Sequence, residues 1–372
     1  MNFDFSDEVK MMRDEARRFL KDRCPPKVVR RALDGAAVYD KDLWREIAAL
    51  GWIGVAIPEE FGGSGIGYEA LCVLAGEMGA ALAPVPFSSS TYLAAEAILL
   101  AGDDVQKNEM LPEIASGECI ATLALAEGAG NPARNAISTT YRNGKLTGTK
   151  WPVPDGAIAD QAIVVAKGGA GDIGFFAVPL EGDGVTRATL RTLDPTRNYA
   201  TITFQDAPAV PLLANGRGWT VVETILDRAA VLVAFEQVGG AEAALHMAKD
   251  YALERFAFGR SIASFQAIKH RLADMYVALE LARAHAYYGA WALSHDAPEL
   301  AGAASAARVA ATEAYYLTTK ENIQIHGGMG FTWEMDCHLY YRRAKALALL
   351  LGNANYWRSR LIGQLEHLEA VE

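Results

Sequence analysis

The chain has 372 residues, 51% hydrophobic and 22% charged, with a formal net charge of −10. That is a globular composition, and the acidic balance excludes a general nucleic-acid binder, which needs a basic surface to displace counterions. The scattered Cys24, Cys72, Cys119 and Cys337 form no CxxC pair, which argues against a disulfide framework or zinc site, and with neither a membrane-length apolar run nor a secretory leader the chain is expected to be cytoplasmic, without membrane insertion.

From residue 1 to about 118 the apolar spacing predicts helices. Val9, Met12, Ala16 and Leu20 recur on one helical face, as do Leu71, Leu74 and Met78. Ser6, followed by Asp7 and Glu8, is placed to cap the first helix. Turns follow at Pro58-Glu-Glu-Phe-Gly-Gly-Ser-Gly and Pro84-Val-Pro86. From about 119 the texture changes to short β-rich runs at 120–126, 137–142, 162–166, 173–179 and 200–204, with Asn143-Gly144 as a two-residue hairpin signal. This predicts a β domain over 119–214. From 215 the pattern is helical again: Ile268, Leu272, Met275, Leu279, Ala282 and Ala286 form the stripe of a bundle helix. Pro298 marks a break, and a second Ala-rich helix is expected to run to about Ile325.

Two segments carry phosphate-binding chemistry. In Arg255-Phe-Ala-Phe-Gly-Arg-Ser-Ile-Ala-Ser-Phe-Gln266, the arginine and glutamine offer planar donors suited to a pyrophosphate, and Gly259 after Phe258 suggests a bend just before a new helix. A helix corner with a solvated arginine would read the same way. In Gln324-Ile-His-Gly-Gly-Met-Gly, three glycines within four residues let the backbone approach a ligand and turn its N–H groups inward as an anion nest. A helix stop followed by a surface turn is the plainer reading.

Taken together, with Phe331-Thr-Trp-Glu and Tyr341-Arg-Arg-Ala beside them, these segments closely resemble the acyl-CoA dehydrogenase family of flavoproteins. The helical, β, helical order is similar to that family along the whole chain. The resemblance implies an α+β multidomain fold: a helical N-terminal domain (1–118), a middle β-barrel or sandwich (119–214) and a C-terminal four-helix bundle (215–372). It implies FAD, with Arg255, Phe258, Gln266, Gln324, Gly327 and Gly328 meeting the pyrophosphate and adenosine half across a dimer interface. It also implies an acyl-CoA substrate oxidised to the trans-2-enoyl-CoA, and electron-transfer flavoprotein as acceptor.

The chain departs from the family in two places. The strand end that usually reads Thr-Glu-Pro is Ala126-Glu127-Gly128, and the usual Trp-x-Ser/Thr strand, aligned through Gly148-Thr-Lys150, reads Pro152-Val153-Pro154. The hydroxyl donors near the flavin ring are therefore missing, and only backbone groups of Leu125 and Ala126 are left to touch it. The sharper departure is the base. Removing the α-proton of a thioester needs a carboxylate beside it. The family's two base positions fall here on Leu351, within Leu350-Leu-Gly352, and on Ala229, and neither accepts a proton.

Glu236, in the same predicted helix as Ala229 and seven residues later, is a weak candidate for a relocated base, against a polar subunit contact or a buried structural role. His326 is expected to hydrogen-bond locally or face phosphates. Arg342 and Arg343 either meet an anionic group or form a solvated or ion-paired face.

The expectation is one subunit of a homo- or hetero-oligomer, with a related chain supplying the ring contacts and the base. Mixed assemblies of this kind resemble the chain in the Gly-Phe-Thr-Trp-Glu wording, and several act on bulky substrates such as steroid side chains. The alternatives are a reduced-flavin monooxygenase on the same fold, which needs no α-proton base, and a non-catalytic scaffold subunit.

Overall fold

A computed structural model describes residues 4–36, 38–169, 171–213 and 217–369. The expected domain boundary at 214 and 215 lies outside the described residues. Among the described residues six α-helices come first: α1 (Asp7–Arg23), α2 (Pro26–Leu33), α3 (Lys41–Ala49), α4 (Tyr68–Ala80), α5 (Glu96–Ala101) and α6 (Asp104–Ala115). Eight strands follow: β1 (Ala121–Ala124), β2 (Thr140–Arg142), β3 (Lys145–Pro154), β4 (Gln161–Lys167), β5 (Ile173–Pro179), β6 (Val185–Thr189), β7 (Tyr199–Pro208) and β8 (Val210–Leu213). Then come α7 (Gly218–Glu254), the short strands β9 (Phe256–Ala257) and β10 (Arg260–Ser261), α8 (Gln266–Ser294), α9 (Leu300–His326), α10 (Cys337–Leu347) and α11 (Ala354–Glu369). Helical ends and a central sheet are the fold class the sequence implied. Among the described residues no helix is long and apolar enough to cross a membrane.

The chain divides into two compact units, one of residues 30–71 and 84–229, the other of 1–29, 72–83 and 230–372. The first holds the sheet, in the order β6-β7-β3-β2-β4-β5-β8, with β1 added beside β4. Its pairings are antiparallel except β1 and β2 with β4. Asn143 and Gly144 both have positive φ (52° and 80°), the backbone a two-residue β2–β3 turn requires. In β3 the ladder to β7 slips between Lys150 and Val153. Pro152 sits in that slip, where its missing N–H costs no ladder bond. β6 and β8 lie outside the strand runs read from the sequence, β6 because it buries no residue and β8 because it has only four residues.

In the second unit Ser6 caps α1, its side chain accepting from the Val9 N–H at 3.3 Å, with Asp7 and Glu8 in the first turn to complement the helix dipole. Val9, Ala16 and Leu20 are buried from this helix and Met78 from α4. Small residues set the closest helix approach. A Cβ on Gly79 would lie 2.0 Å from the Glu236 carbonyl oxygen, and one on Gly239 would lie 1.9 Å from that of Gly76. The α8 stripe behaves as read: Met275, Leu279, Ala282 and Ala286 are buried, while Ile268 and Leu272 near its start are half-buried.

Candidate functional site

The two segments expected to bind phosphate lie in one unit and are built from helix ends. α7 stops at Glu254, and β9 and β10 then form a small hairpin, pairing Ala257 with Arg260 and Phe256 with Ser261. Its turn is Phe258-Gly259, at φ 53° and 76°. The sequence suggested a bend there; the structure makes it a two-residue hairpin, and the new helix begins only at Gln266. The hairpin is tied to α7 by Ser261 Oγ, which donates to the Ala252 carbonyl at 2.7 Å, and by the Ile262 N–H, which donates to that of Arg255 at 2.8 Å. Arg255 is exposed, Phe258 is 96% exposed, and Gln266 is the exposed first residue of a helix of 29 residues. A helix N-terminus favours an anion.

The glycine segment closes α9. Gly327 (φ 61°) takes the backbone out of the helix while its N–H still donates to the Gln324 carbonyl at 3.1 Å. Gln324, Gly327 and Gly328 are exposed, and a Cβ on either glycine would meet nothing within 4 Å. Gly330 differs: it is buried, and its Cβ would fall 2.5 Å from the Ile323 carbonyl oxygen. Two of the three glycines are thus open to a ligand and the third packs the turn. His326 is buried, its Nδ1 2.9 Å from the Asn322 carbonyl oxygen, and its ring stacks on Tyr251. Burial lowers the His326 pKa, partly offset by that hydrogen bond.

The two positions that the resemblance assigns to the base carry no titratable side chain. Leu351 is half-buried with φ 64° and Ala229 is wholly buried. Glu236 is fully buried, and Arg343, itself 1% exposed, donates to it at 3.3 Å and to the Leu82 carbonyl at 3.3 Å. Arg343 is therefore a buried, ion-paired residue. Arg342 sits over the Trp333 ring at 5.5 Å.

In the sheet-bearing unit, the strand end at 125–127 is held internally. The Leu125 carbonyl accepts from Lys150 Nζ at 3.1 Å, and the Ala126 carbonyl from the Trp151 N–H at 2.8 Å. Lys150 pairs with Glu127 at 2.6 Å, with both side chains buried. Burial pushes the Glu127 carboxyl up, but the Lys150 charge and hydrogen bond, with donors from Ser138 and Thr139, bring it down to about 2. This brace escaped the sequence reading. Lys150 in mid-strand was the available signal, since a lysine inside a buried strand needs a carboxylate. Where Pro152, Val153 and Pro154 stand, no side-chain donor is available to a flavin ring.

Residues 6–118 match the N-terminal domain model of acyl-CoA dehydrogenase, and 216–365 match the C-terminal domain model. The acyl-CoA dehydrogenase IpdE2 of Mycobacterium tuberculosis is 34% identical over 347 residues, covering 93% of each chain. This chain belongs to the acyl-CoA dehydrogenase family. Members of the family are FAD-binding oxidoreductases acting on CH–CH groups. Among solved structures, the Tcur3481-Tcur3483 steroid acyl-CoA dehydrogenase G363A variant superposes with a TM-score of 0.88 at 31% identity, covering 98% of this chain and 99% of that one. The ChsE4-ChsE5 complex of M. tuberculosis superposes at 0.90 with 26% identity, over 98% and 99%.

The exposed Arg255, Gln266 and Gly327-Gly328 backbone fit the pyrophosphate of such a cofactor: a cation, an amide at a helix N-terminus and two unhindered glycines. The ring side fits poorly, for lack of donors.

Proposed function

We propose that this chain is one subunit of a mixed acyl-CoA dehydrogenase assembly, which contributes the FAD pyrophosphate and adenosine contacts while a related chain contributes the ring contacts and the catalytic base. The observation that carries this reading is the contrast between the exposed Arg255, Gln266 and Gly327-Gly328 and the leucine and alanine, Leu351 and Ala229, at the positions the family resemblance assigns to the base. Relatives solved as two-chain assemblies support it. Bound FAD would supply the hydride acceptor for oxidation of an acyl-CoA. This chain's residues would bind and orient the cofactor: the Arg255 charge would meet the diphosphate, the Gln266 amide would hydrogen-bond it, Phe258 would face the adenosine half, and Gly327 and Gly328 would offer their backbone N–H groups. The steroid substrate named for one relative points to a bulky acyl group. Electron-transfer flavoprotein is the acceptor, and the assembly works in the cytoplasm. The labour divides along the chain as 1–118, 119–214 and 215–372.

The test is the visible spectrum and enoyl-CoA formation of the purified chain, alone and co-expressed with a related chain. Flavin retention and turnover are expected only with the partner. Full turnover by the single chain would overturn the proposal.

A further inference from the structure

We propose that Tyr251 and His326 are positioning residues that hold the two pyrophosphate segments in register, so that Arg255 and the Gly327-Gly328 backbone face one ligand. The inference rests on the FAD reading above and adds to it the device that aligns its two halves.

Arg255 and Gly327 come from different helix ends, and each segment alone offers only part of an anion site. Tyr251 lies in the last turn of α7, four residues before Arg255. His326 is the last residue of α9, next to Gly327. Their rings stack with centroids 4.0 Å apart and planes 24° apart. The Tyr251 hydroxyl also donates to the His326 main-chain carbonyl at 3.5 Å. His326 cannot turn to escape this stack. Its Nδ1 lies 2.9 Å from the Asn322 carbonyl oxygen, which only accepts, so the proton sits on Nδ1 and the ring plane is fixed. Gly330 folds back against the same residue, where a Cβ would fall 2.8 Å from His326 Cβ.

On the other side, the Arg255 N–H donates to the Tyr251 carbonyl at 2.9 Å, and the Ser261 and Ile262 bonds carry the hairpin along with the α7 end. A shift of the Tyr251 ring is therefore transmitted to Arg255, and a shift of His326 to Gly327. A second link runs parallel: Arg271 of α8, one and a half turns after Gln266, pairs with Glu321 of α9, three residues before Gln324. The stack sets one pair of contacts and this ion pair the other. A pyrophosphate held by groups from two elements binds well only when their spacing is already set.

The experiment measures FAD affinity of the full-length chain, alone and with its co-expressed related chain, by flavin fluorescence titration. The variants are His326→Ala, His326→Phe, Tyr251→Leu and Arg255→Ala, with circular dichroism as the check on folding. His326→Ala and Tyr251→Leu are expected to weaken FAD roughly three- to tenfold. His326→Phe, which keeps a ring on Tyr251, is expected to restore most of that loss, a rescue that would not follow if position 326 required histidine itself. Folded His326→Ala or Tyr251→Leu protein with wild-type FAD affinity overturns the inference, provided Arg255→Ala has lost affinity. Arg255→Ala with unchanged affinity overturns the FAD reading itself and this inference with it. If His326→Ala fails to fold, Tyr251→Leu and the Phe rescue decide.

Discussion

The buried guanidinium of Arg308 donates to the main-chain carbonyl of Leu350 at 2.7 Å, and also to that of Leu347. Its other arm reaches the Gln237 Oε1 at 2.5 Å and the Thr312 hydroxyl at 2.7 Å. The arginine thus closes the C-terminal end of α10, where helix carbonyls lack partners, and pins the turn that carries Leu351. Leu351 has φ 64° and Gly352 φ 106°. A leucine in the left-handed region is unfavourable by roughly 1–2 kcal/mol, and the clamp is what holds it there. Replacing Arg308 with methionine removes a donor from two carbonyls and leaves the Gln237 amide oxygen only the Thr312 hydroxyl at 3.4 Å, which should cost on the order of 3–5 kcal/mol. Urea denaturation reads this directly; a loss under about 1 kcal/mol would show that the clamp is dispensable.

Because the turn is pinned by Arg308 and not by the residue at 351, it should accept Leu351→Glu without rearranging. In the co-expressed assembly this change is expected to raise enoyl-CoA formation at this chain's own position by tenfold or more, short of the roughly 10²–10⁴ of an evolved base. Apolar surroundings raise a carboxyl pKa, so the gain should grow as pH rises. No increase at any pH between 6 and 9 would mean that more than the base is missing.

Glu236 is a core residue of its unit. Glu236→Gln leaves the Arg343 charge buried beside a neutral amide, a change expected to lower stability by about 3 kcal/mol. Turnover per folded assembly should be unchanged. Selective loss of turnover at full stability would instead restore Glu236 as a base.

The Glu127–Lys150 pair gives the sheet-bearing unit an acid limit. Glu127 is held at about 2 against an ordinary 4.5, so its folded pKa lies below its unfolded one. Its contribution is complete above pH 4.5 and is lost as pH falls from there through about 2. Thermal melts of Glu127→Gln across that window should start lower and depend less on pH than the parent. Parallel pH profiles for the two would remove the pair from the account.

Periodicity made the helical regions legible, because the α8 stripe and the α1 face are both buried where 3.6-residue spacing puts them. It did not find β6, which buries no residue, or β8, which has only four residues. At the site, the exposed groups were legible as motifs: Arg255, Gln266, Gly327 and Gly328. The groups that brace the chain were not. Tyr251 meets His326 75 residues away, Arg308 meets Gln237 and Leu350 71 and 42 residues away, and Lys150 meets Glu127 23 residues away, and one sequence does not reveal such pairs.

Phe258 offers the plainest separation of folding from binding. It occupies the first position of a two-residue hairpin turn at φ 53°, a conformation that suits asparagine or glycine, and its ring is 96% exposed. An exposed aromatic in a left-handed turn contributes little to folding and costs roughly 1 kcal/mol of backbone strain. Phe258→Asn should therefore keep or raise the stability of the chain by up to about 1 kcal/mol. If the ring lies against the adenosine half of FAD, the same substitution should weaken FAD several-fold, as expected for losing one stacked aromatic surface. The two measurements move in opposite directions only if Phe258 is kept for the ligand. A Phe258→Asn chain that gains stability and binds FAD as before would leave the residue without a role in the cofactor site.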